Sequence, residues 1–196
     1  SWFLPRMPGE LGMYLGLTGA RLRTPDALYA GVATHFVPGV KHPALIDRLA
    51  EGVEVDIAVR NVTEAVPDTY LLAHRAKIDA IFALQSAEDV FAALDADHTD
   101  FADDTAKVIR TKSPTATKLA FRQIREGRAL DFDDCMRMEY RMVHRVIEGH
   151  DFYEGVRATI IDKDGAPKWQ PDALSQVSTA DIDAYFAPLG EKELPL

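Results

Sequence analysis

The sequence has 196 residues, 47% hydrophobic and 27% charged, which is the ordinary range of a globular protein with one domain or two small ones. Its 22 Lys and Arg residues against 31 Asp and Glu residues give a net charge of -9, which argues against a phosphate-tracking surface and against nucleic acid as a partner. No apolar run approaches the roughly 18 residues that a bilayer crossing requires, so a membrane is not an expected partner.

The first part of the chain alternates short helical patterns with turn residues. Residues 8–17 predict a short helix. Thr24 and Pro25 are typical of an N-cap and a first helical position, and the second helix is predicted to end at Gly31. Residues 34–37, Thr-His-Phe-Val, are the clearest strand candidate because they are β-branched or aromatic and are followed by Pro-Gly.

From Pro43 onward the spacing of apolar residues is mostly helical. Four pairs of residues indicate helix N-termini, and they are Ser86 with Asp89, Ser113 with Pro114, Asp151 with Glu154, and Ser178 with Asp181. The expected fold class is therefore mainly α with a few short strands.

The longest periodic pattern lies in residues 132–148. Met136, Tyr140, Val143 and Ile147 recur at spacings of four, three and four, which places them on one face of a helix. We expect this face to be the buried one.

A metal site is not expected from the residue pattern. No two of the six histidines have the three- or four-residue spacing that places two imidazoles on one helix face, and they are His35, His42, His74, His98, His144 and His150. The stretch Asp-Lys-Asp-Gly at 162–165 lacks the glycine and glutamate positions of a calcium loop, so we interpret it as a turn.

The sequence also lacks a recognisable catalytic motif of its own. It contains no nucleophile elbow, no phosphate-binding loop and no dinucleotide fingerprint. The single Cys135 has no basic neighbours, favours a structural thiol, and fits a reducing compartment. The acidic group at 131–134 is explained as capping of a helix N-terminus.

Several longer segments carry a resemblance to a known family. They are SWFLPRMPGELGMYLGLTGARLRTPDALYAGVATHFVP at 1–38, SPTATKLAFRQIREG at 113–127, MEYRMVHRVIEGHDFYEGVRATIIDKDGAPKW at 138–169 and DIDAYFAPLG at 181–190. The first resembles the segment after the active-site turn of the enoyl-CoA hydratase/isomerase, or crotonase, superfamily. The later ones resemble its 3-hydroxyisobutyryl-CoA hydrolase branch, and the similarity is weakest at 41–111.

The resemblance implies that the chain is the C-terminal helical part of a ClpP/crotonase-like α/β spiral fold. Residues 1–40 would be the end of the crotonase core, and residues 41–196 a helical region that covers the active site, forms subunit contacts, or does both. The family's catalytic glutamate and aspartate belong to a P-E-T-x-I-G-L-x-P-D-V-G-G motif, which we expect immediately before Ser1. No catalytic residue is therefore expected in these residues, and we expect the chain alone to be inactive, with an apolar face near Trp2.

The resemblance further implies hydrolysis of 3-hydroxyisobutyryl-CoA in valine breakdown. No cofactor is expected, because coenzyme A is part of the substrate. Lys163 and Lys168 are candidate contacts to CoA phosphates, and Phe152 is a candidate substrate contact. The expected partners are an acyl-CoA and the N-terminal half of the same protein, and a homo-oligomer is compatible with them. The expected location is the bacterial cytoplasm or the mitochondrial matrix.

Two alternatives remain open at this point. One keeps the fold and changes the reaction to that of an enoyl-CoA hydratase or isomerase, since fold alone does not determine chemistry. The other is a helical binding or oligomerisation module without catalysis.

Overall fold

The computed structural model describes residues 1–67 and 69–196, and these residues form helices joined by turns. The α-helices of the described residues are α1 (Leu11–Thr18), α2 (Thr24–Tyr29), α3 (His42–Ala50), α4 (Val55–Arg60), α5 (Tyr70–Phe82), α6 (Ala87–Asp97), α7 (Asp100–Arg110), α8 (Pro114–Gly127), α9 (Phe132–Val146), α10 (His150–Val156) and α11 (Thr179–Phe186). A single turn of π-helix, Arg157–Ile161, continues α10. None of these helices combines the length and the apolarity that a bilayer crossing requires.

The chain divides into two compact units. The larger one comprises Ser1–Ala20 and Lys77–Leu196, and the smaller one comprises Arg21–Ala76. The boundary that the sequence predicts at residue 40 separates the end of the core of a larger fold from a helical region. The division into two units does not test that boundary, so it stays a prediction.

Two apolar clusters hold the larger unit together. In the first, the rings of Tyr14 on α1 and Phe82 on α5 meet edge to face at 5.4 Å, and Leu94 and Ile109 are fully buried. Burial of apolar side chains is the main favourable term in folding, so this cluster anchors α1 against its neighbours. The second cluster joins α8, α9 and α11, and its buried members are Leu119, Met138, Met142, Val177, Ile182 and Phe186.

Three of the predicted N-caps are confirmed. The Ser86 hydroxyl accepts from the backbone N–H of Asp89 at 3.0 Å, and the Ser113 hydroxyl accepts from that of Ala116 at 3.1 Å. Ser178 and Asp181 form a reciprocal capping box. Each cap satisfies backbone donors that the first turn of a helix leaves without a partner.

The predicted cap at Asp151 is wrong. The residue that caps α10 is Gly149, and no side chain caps this helix. Asp151 instead binds Ser113 and the backbone of Gln170, which are distant in the sequence. Local spacing could not reveal these partners.

The prediction of a few short strands is also wrong, because the described residues contain no β-strand. Residues 34–37 are irregular, and they lie in the smaller unit. One backbone hydrogen bond, from Glu64 N–H to the Phe36 carbonyl at 3.0 Å, joins this segment to another. Strand propensity reflects packing against neighbouring strands, and a single bond does not make a ladder.

The prediction of the buried face of α9 is wrong as well. The side chains that this helix buries are Cys135, Met138 and Met142. Val143 is 51% exposed, Ile147 is 42% exposed, and Met136 and Tyr140 are half-buried, so the predicted stripe is not the buried face. Because α9 has apolar residues on two faces, periodicity alone could not decide which one the other helices cover.

The outward face of α9 continues into an apolar region near the N-terminus. The rings of Trp2 and Phe132 meet edge to face at 5.7 Å, and Phe3 is 53% exposed. The guanidinium of Arg6 lies 3.5 Å from the centre of the Trp2 ring. These exposed aromatic side chains agree with the expected apolar face near Trp2, and its extent stays a prediction.

The close approach of α1 to the preceding turn generates a stability prediction. A Cβ added at Gly12 would lie 1.8 Å from the carbonyl oxygen of Leu4. Alanine is the better helix former by about 0.5–1 kcal/mol, but we expect Gly12→Ala to lower the free energy of unfolding by roughly 1–3 kcal/mol because backbone must move. Denaturant unfolding measures this change.

Gly39→Ala is the matched control, because a Cβ at Gly39 would meet nothing within 4 Å. We expect that variant to stay within about 0.5 kcal/mol of the parent chain. A Gly12→Ala variant that is as stable as the parent or more stable would contradict the packing described here.

Candidate functional site

A cavity of about 500 Å³ lies in the larger unit, between the start of α8, the end of α9, α10 and residues 169–170. It is partly open to solvent. Phe152, which is 44% exposed, lies in its lining. Lys163 and Lys168 are exposed and do not line it. The structure thus brings one of the three predicted contact residues to a cavity and leaves the two lysines outside.

The lining of this cavity is mostly apolar. The aromatic members are Phe152, Trp169 and Tyr185, and the aliphatic members include Leu119, Val146 and Val156. Its polar members include Lys112, Thr115, His150 and Asp151. Cavities of roughly 300–1,000 Å³ with an apolar lining and a few polar groups are typical of small-molecule sites.

The carboxylate of Asp151 joins three segments of this wall. Its Oδ2 atom accepts a hydrogen bond from the Ser113 hydroxyl at 2.5 Å, and its Oδ1 atom accepts from the backbone N–H of Gln170 at 2.8 Å. The Nδ1 atom of His150 lies 3.1 Å from Oδ1. Asp151 therefore connects the start of α8, the start of α10 and the segment after Trp169.

Serine, histidine and aspartate occur together here, but their order differs from that of a nucleophilic triad. In a triad the histidine lies between the serine and the carboxylate, where it takes the serine proton. Here the carboxylate of Asp151 lies between Ser113 and His150. Ser113 is buried and caps α8, so this arrangement positions helices and does not activate the hydroxyl.

Arg157 organises the loop that carries the two predicted lysines. Its guanidinium forms two bonds to the Glu154 carboxylate, at 2.9 and 2.8 Å, and it also binds Asp162 at 2.8 Å and Asp164 at 2.7 Å. A guanidinium presents its donors in a planar fork that matches such carboxylates. The segment predicted as a turn, 162–165, is a bend without a hydrogen-bonded turn, with Lys163 at φ 56° and Gly165 at φ 63°.

The charges around Arg157 shift the pKa values of its partners. Hydrogen bonds from Arg157 and from the backbone N–H of Lys168 lower the pKa of Glu154 to about 2. Arg157 and the backbone N–H of Ala166 likewise lower the pKa of Asp164. The pKa of the Arg157 guanidinium rises, first because of Glu154 and then because of the two aspartates. All of these groups stay ionised at neutral pH.

Trp169 and Tyr185 complete two walls of the cavity. The indole Nε1–H of Trp169 donates to the Thr111 carbonyl at 3.0 Å, and its ring lies so close to Gly155 that a Cβ there would be 3.3 Å from it. The Tyr185 hydroxyl lies beside Gly149. Burial raises the pKa of Tyr185, and the carboxylates of Asp151 and Asp181 raise it further.

Sequence reasoning missed three residues of this site. Asp151 looked like a local cap, and its partners at 113 and 170 are distant in the sequence. Trp169 lies inside the segment that carries the family resemblance, which was the one available signal for it. Tyr185 likewise lies inside a resembling segment, 181–190, and that was its one signal. Among the residues described, no three His, Cys, Asp or Glu side chains lie close enough to hold a metal ion.

Comparison with known proteins identifies a matching family model and similar relatives. A family model described as "Enoyl-CoA hydratase/isomerase" matches residues 1–186. The chain is 41% identical over 206 residues to a protein of Xenopus tropicalis named "3-hydroxyisobutyryl-CoA hydrolase, mitochondrial", covering 100% of this chain and 54% of the relative. The protein of the same name in Homo sapiens is 38% identical, with 99% and 53% covered. The chain thus spans about half the length of these relatives.

Two solved structures are also similar to this chain. One, titled a carnitinyl-CoA dehydratase from Mycobacterium thermoresistibile, has a TM-score of 0.90 and 34% identity, covering 98% of this chain and 55% of that one. The other, titled an enoyl-CoA hydratase from Rhodobacter sphaeroides, has a TM-score of 0.87 and 34% identity, covering 99% and 56%. The helical arrangement described above is therefore shared with larger proteins of known structure.

The lowered pKa of Glu154 predicts a pH dependence of stability. A carboxyl group whose pKa falls on folding, here from 4.5 to about 2, stabilises the folded state above pH 4.5 and loses that effect as the pH falls toward 2. We expect the parent chain to be more stable than Glu154→Gln at pH 7, and the difference to vanish between pH 4.5 and 2. Urea unfolding across this pH range measures it.

Glu191→Gln is the matched control, because Glu191 is exposed and forms no ion pair with any residue described here. Its difference from the parent should be small and should not change over the same pH range. An equal stability of the parent and Glu154→Gln at pH 7 would contradict the role given to this carboxylate.

Proposed function

The chain belongs to the enoyl-CoA hydratase/isomerase family, and we propose that it is the C-terminal portion of an acyl-CoA thioester hydrolase of the 3-hydroxyisobutyryl-CoA type. The observation that carries this proposal is the 41% identity to the Xenopus tropicalis hydrolase over the whole of this chain. The family resemblance seen in the sequence is thereby confirmed. The reaction would be hydrolysis of 3-hydroxyisobutyryl-CoA to the hydroxyacid and free CoA.

We further propose that the groups that perform the hydrolysis are supplied by the other half of the longer protein. Thioester hydrolysis needs donors that stabilise the developing oxyanion and carboxylates that direct water and protons. The carboxylates near the cavity are already held by structural donors: Asp151 by Ser113 and Gln170, and Glu154 by Arg157. Because these carboxylates already have structural partners, a positioning role is supported for them. That this chain contains no catalytic residue stays a prediction.

The same fold also supports a second reaction. The two solved structures are titled as a carnitinyl-CoA dehydratase and an enoyl-CoA hydratase, and both are 34% identical to this chain. An enoyl-CoA hydratase is therefore the alternative function. The identity to the named hydrolases is somewhat higher and favours hydrolysis.

The proposal extends to location and partners. The mitochondrial names of the relatives support a mitochondrial matrix protein, and the bacterial sources of the two solved structures keep the bacterial cytoplasm as the alternative. The partners would be an acyl-CoA and the remaining half of the longer protein, with a homo-oligomer also compatible. Coenzyme A would enter as part of the substrate, and no separate cofactor is proposed.

An activity assay tests the proposed reaction. We expect this chain alone to release no free thiol from 3-hydroxyisobutyryl-CoA. A polypeptide that joins this chain to the N-terminal half of the Xenopus tropicalis relative should release it, because the joined protein would supply the oxyanion donors and carboxylates. Circular dichroism confirms that both proteins are folded.

Turnover by the chain alone would contradict the proposed division of labour. Hydration of crotonyl-CoA by the joined polypeptide, without hydrolysis of the thioester, would favour the alternative function.

A second test concerns Lys163 and Lys168 in that joined polypeptide. Both are exposed, and neither ammonium is paired with a carboxylate among the described residues. If they bind CoA phosphates, replacing both by alanine should raise KM for the CoA ester roughly two- to fivefold, because exposed charge pairs contribute free energies of that size. The KM for a CoA-free thioester should not change. Steady-state kinetics on both substrates measure this.

Lys192→Ala is the matched control, since Lys192 is also exposed and unpaired among the residues described. It should leave KM unchanged for both substrates. Equal effects of the double variant on the CoA ester and the CoA-free thioester would remove the phosphate contact from the proposal.

A further inference from the structure

We infer that the cavity between α8, α9 and α10 is itself a small-molecule site, which takes an apolar group carrying a neutral carbonyl oxygen and rejects a carboxylate of the same shape. The inference goes beyond the proposed function, because it concerns binding by this chain alone and needs no hydrolysis. It depends on the shape of the cavity, on one hydroxyl group and on the charges around that group.

The shape of the cavity suits a small organic molecule. Its volume of about 500 Å³ exceeds what a few water molecules fill, and Phe152, Trp169 and Leu119 line it. Leu119 belongs to the buried cluster of the larger unit, and the Trp169 ring is held by the Thr111 carbonyl. The apolar walls are therefore held in place before any ligand arrives, which lowers the entropic cost of binding.

The Tyr185 hydroxyl provides the polar contact. It lies beside Gly149 in the cavity wall, and no acceptor among the described residues takes its hydrogen bond. The tyrosine is half-buried and its hydroxyl is open to water, so a bound molecule can replace that water as its partner. A carbonyl oxygen of a bound molecule would be that partner.

The surrounding charges decide between a neutral and an anionic acceptor. Burial and the carboxylates of Asp151 and Asp181 raise the pKa of Tyr185, so its hydroxyl keeps its proton and remains a donor. Asp151 lines the cavity, so its carboxylate repels a second negative charge beside Tyr185. Lys112 and His150 also line the cavity, but both are exposed, so water and salt screen their influence. The acceptor that fits is therefore neutral, as in an amide, an ester or a thioester.

Two probes of equal shape separate these possibilities. Isovaleramide carries a neutral carbonyl, and isovalerate carries the same carbon skeleton with a carboxylate. Both are titrated at pH 7 into the ¹⁵N-labelled 196-residue chain up to about 20 mM, because ligands this small bind in the millimolar range.

The chain contains an internal control for this titration, since it has two tryptophans. Trp169 lines the cavity, whereas Trp2 lies near Phe132 on α9. We expect isovaleramide to shift the indole N–H resonance of Trp169 in a saturable way and to leave that of Trp2 in place. Isovalerate should bind at least about fivefold more weakly, because the repulsion between its carboxylate and a like charge at short range reduces affinity by that factor or more.

Variants assign the effect to the proposed contacts. Tyr185→Phe removes only the hydroxyl, and we expect it to weaken amide binding about two- to tenfold, the usual worth of one neutral hydrogen bond. Tyr153→Phe is the matched control, because Tyr153 is exposed on the same helix as Phe152 and does not line the cavity. It should bind as the parent does.

Ala116→Phe tests the cavity without depending on Tyr185. Ala116 is an exposed lining residue, so a larger side chain there should block the cavity and leave the fold intact. We expect it to abolish the Trp169 shift, while the remaining amide spectrum shows that the chain is folded.

Four outcomes would overturn the inference. They are no Trp169 shift with isovaleramide, equal shifts at both tryptophans, binding of isovalerate as tight as that of the amide, and unchanged binding in Tyr185→Phe or Ala116→Phe. None of them bears on thioester hydrolysis by the joined polypeptide, so failure of this inference and failure of the proposed function are distinguishable.

Discussion

One carboxylate, that of Asp151, determines the geometry of the candidate site. It takes hydrogen bonds from Ser113 at the start of α8 and from the backbone of Gln170, and it lies itself at the start of α10. Hydrogen bonds to a charged group are worth about 1.5–3 kcal/mol each, and a mostly buried carboxylate without them would be costly. Asp151 thus ties together three segments that line the cavity.

A second ionic group extends this frame to the loop beyond the π-helical turn. Arg157 binds three carboxylates and offsets part of their charge, and the backbone N–H of Lys168 binds one of them, Glu154, at 2.7 Å. The chain carries a net charge of -9, so acidic side chains crowded into one turn would repel one another without this guanidinium. The acidic residues in this part of the molecule thus serve architecture, which is why they are poor candidates for water activation.

This distribution of roles fits the relation of the chain to its relatives. The chain spans about half of their length. The cavity in this half has apolar walls and a hydroxyl donor. The carboxylates named here, Asp151 and Glu154, are both bound by structural partners. Similar solved structures carry titles of different reactions, because one fold supports several chemistries and the reaction depends on particular groups. The part of the chain described here supports recognition more directly than it supports any bond-breaking step.

The sequence by itself determined those features that depend on neighbouring residues. Three N-caps and the helical character of the chain follow from local hydrogen bonds and backbone preference, and the family resemblance follows from extended motifs. Phe152 was placed in the site for the same reason, since it lies within such a motif.

Only the tertiary structure decided which apolar face of α9 is buried, whether residues 34–37 find a strand partner, and what Asp151 binds. Each of these depends on groups brought together from distant parts of the chain. Periodicity indicates that a helix face is apolar, but it does not indicate which element covers that face. Sequence spacing likewise cannot predict a hydrogen-bond partner 38 residues away, as Ser113 is from Asp151. Tyr185 lies in a segment that carries the family resemblance, but only the fold brings its side chain to the cavity.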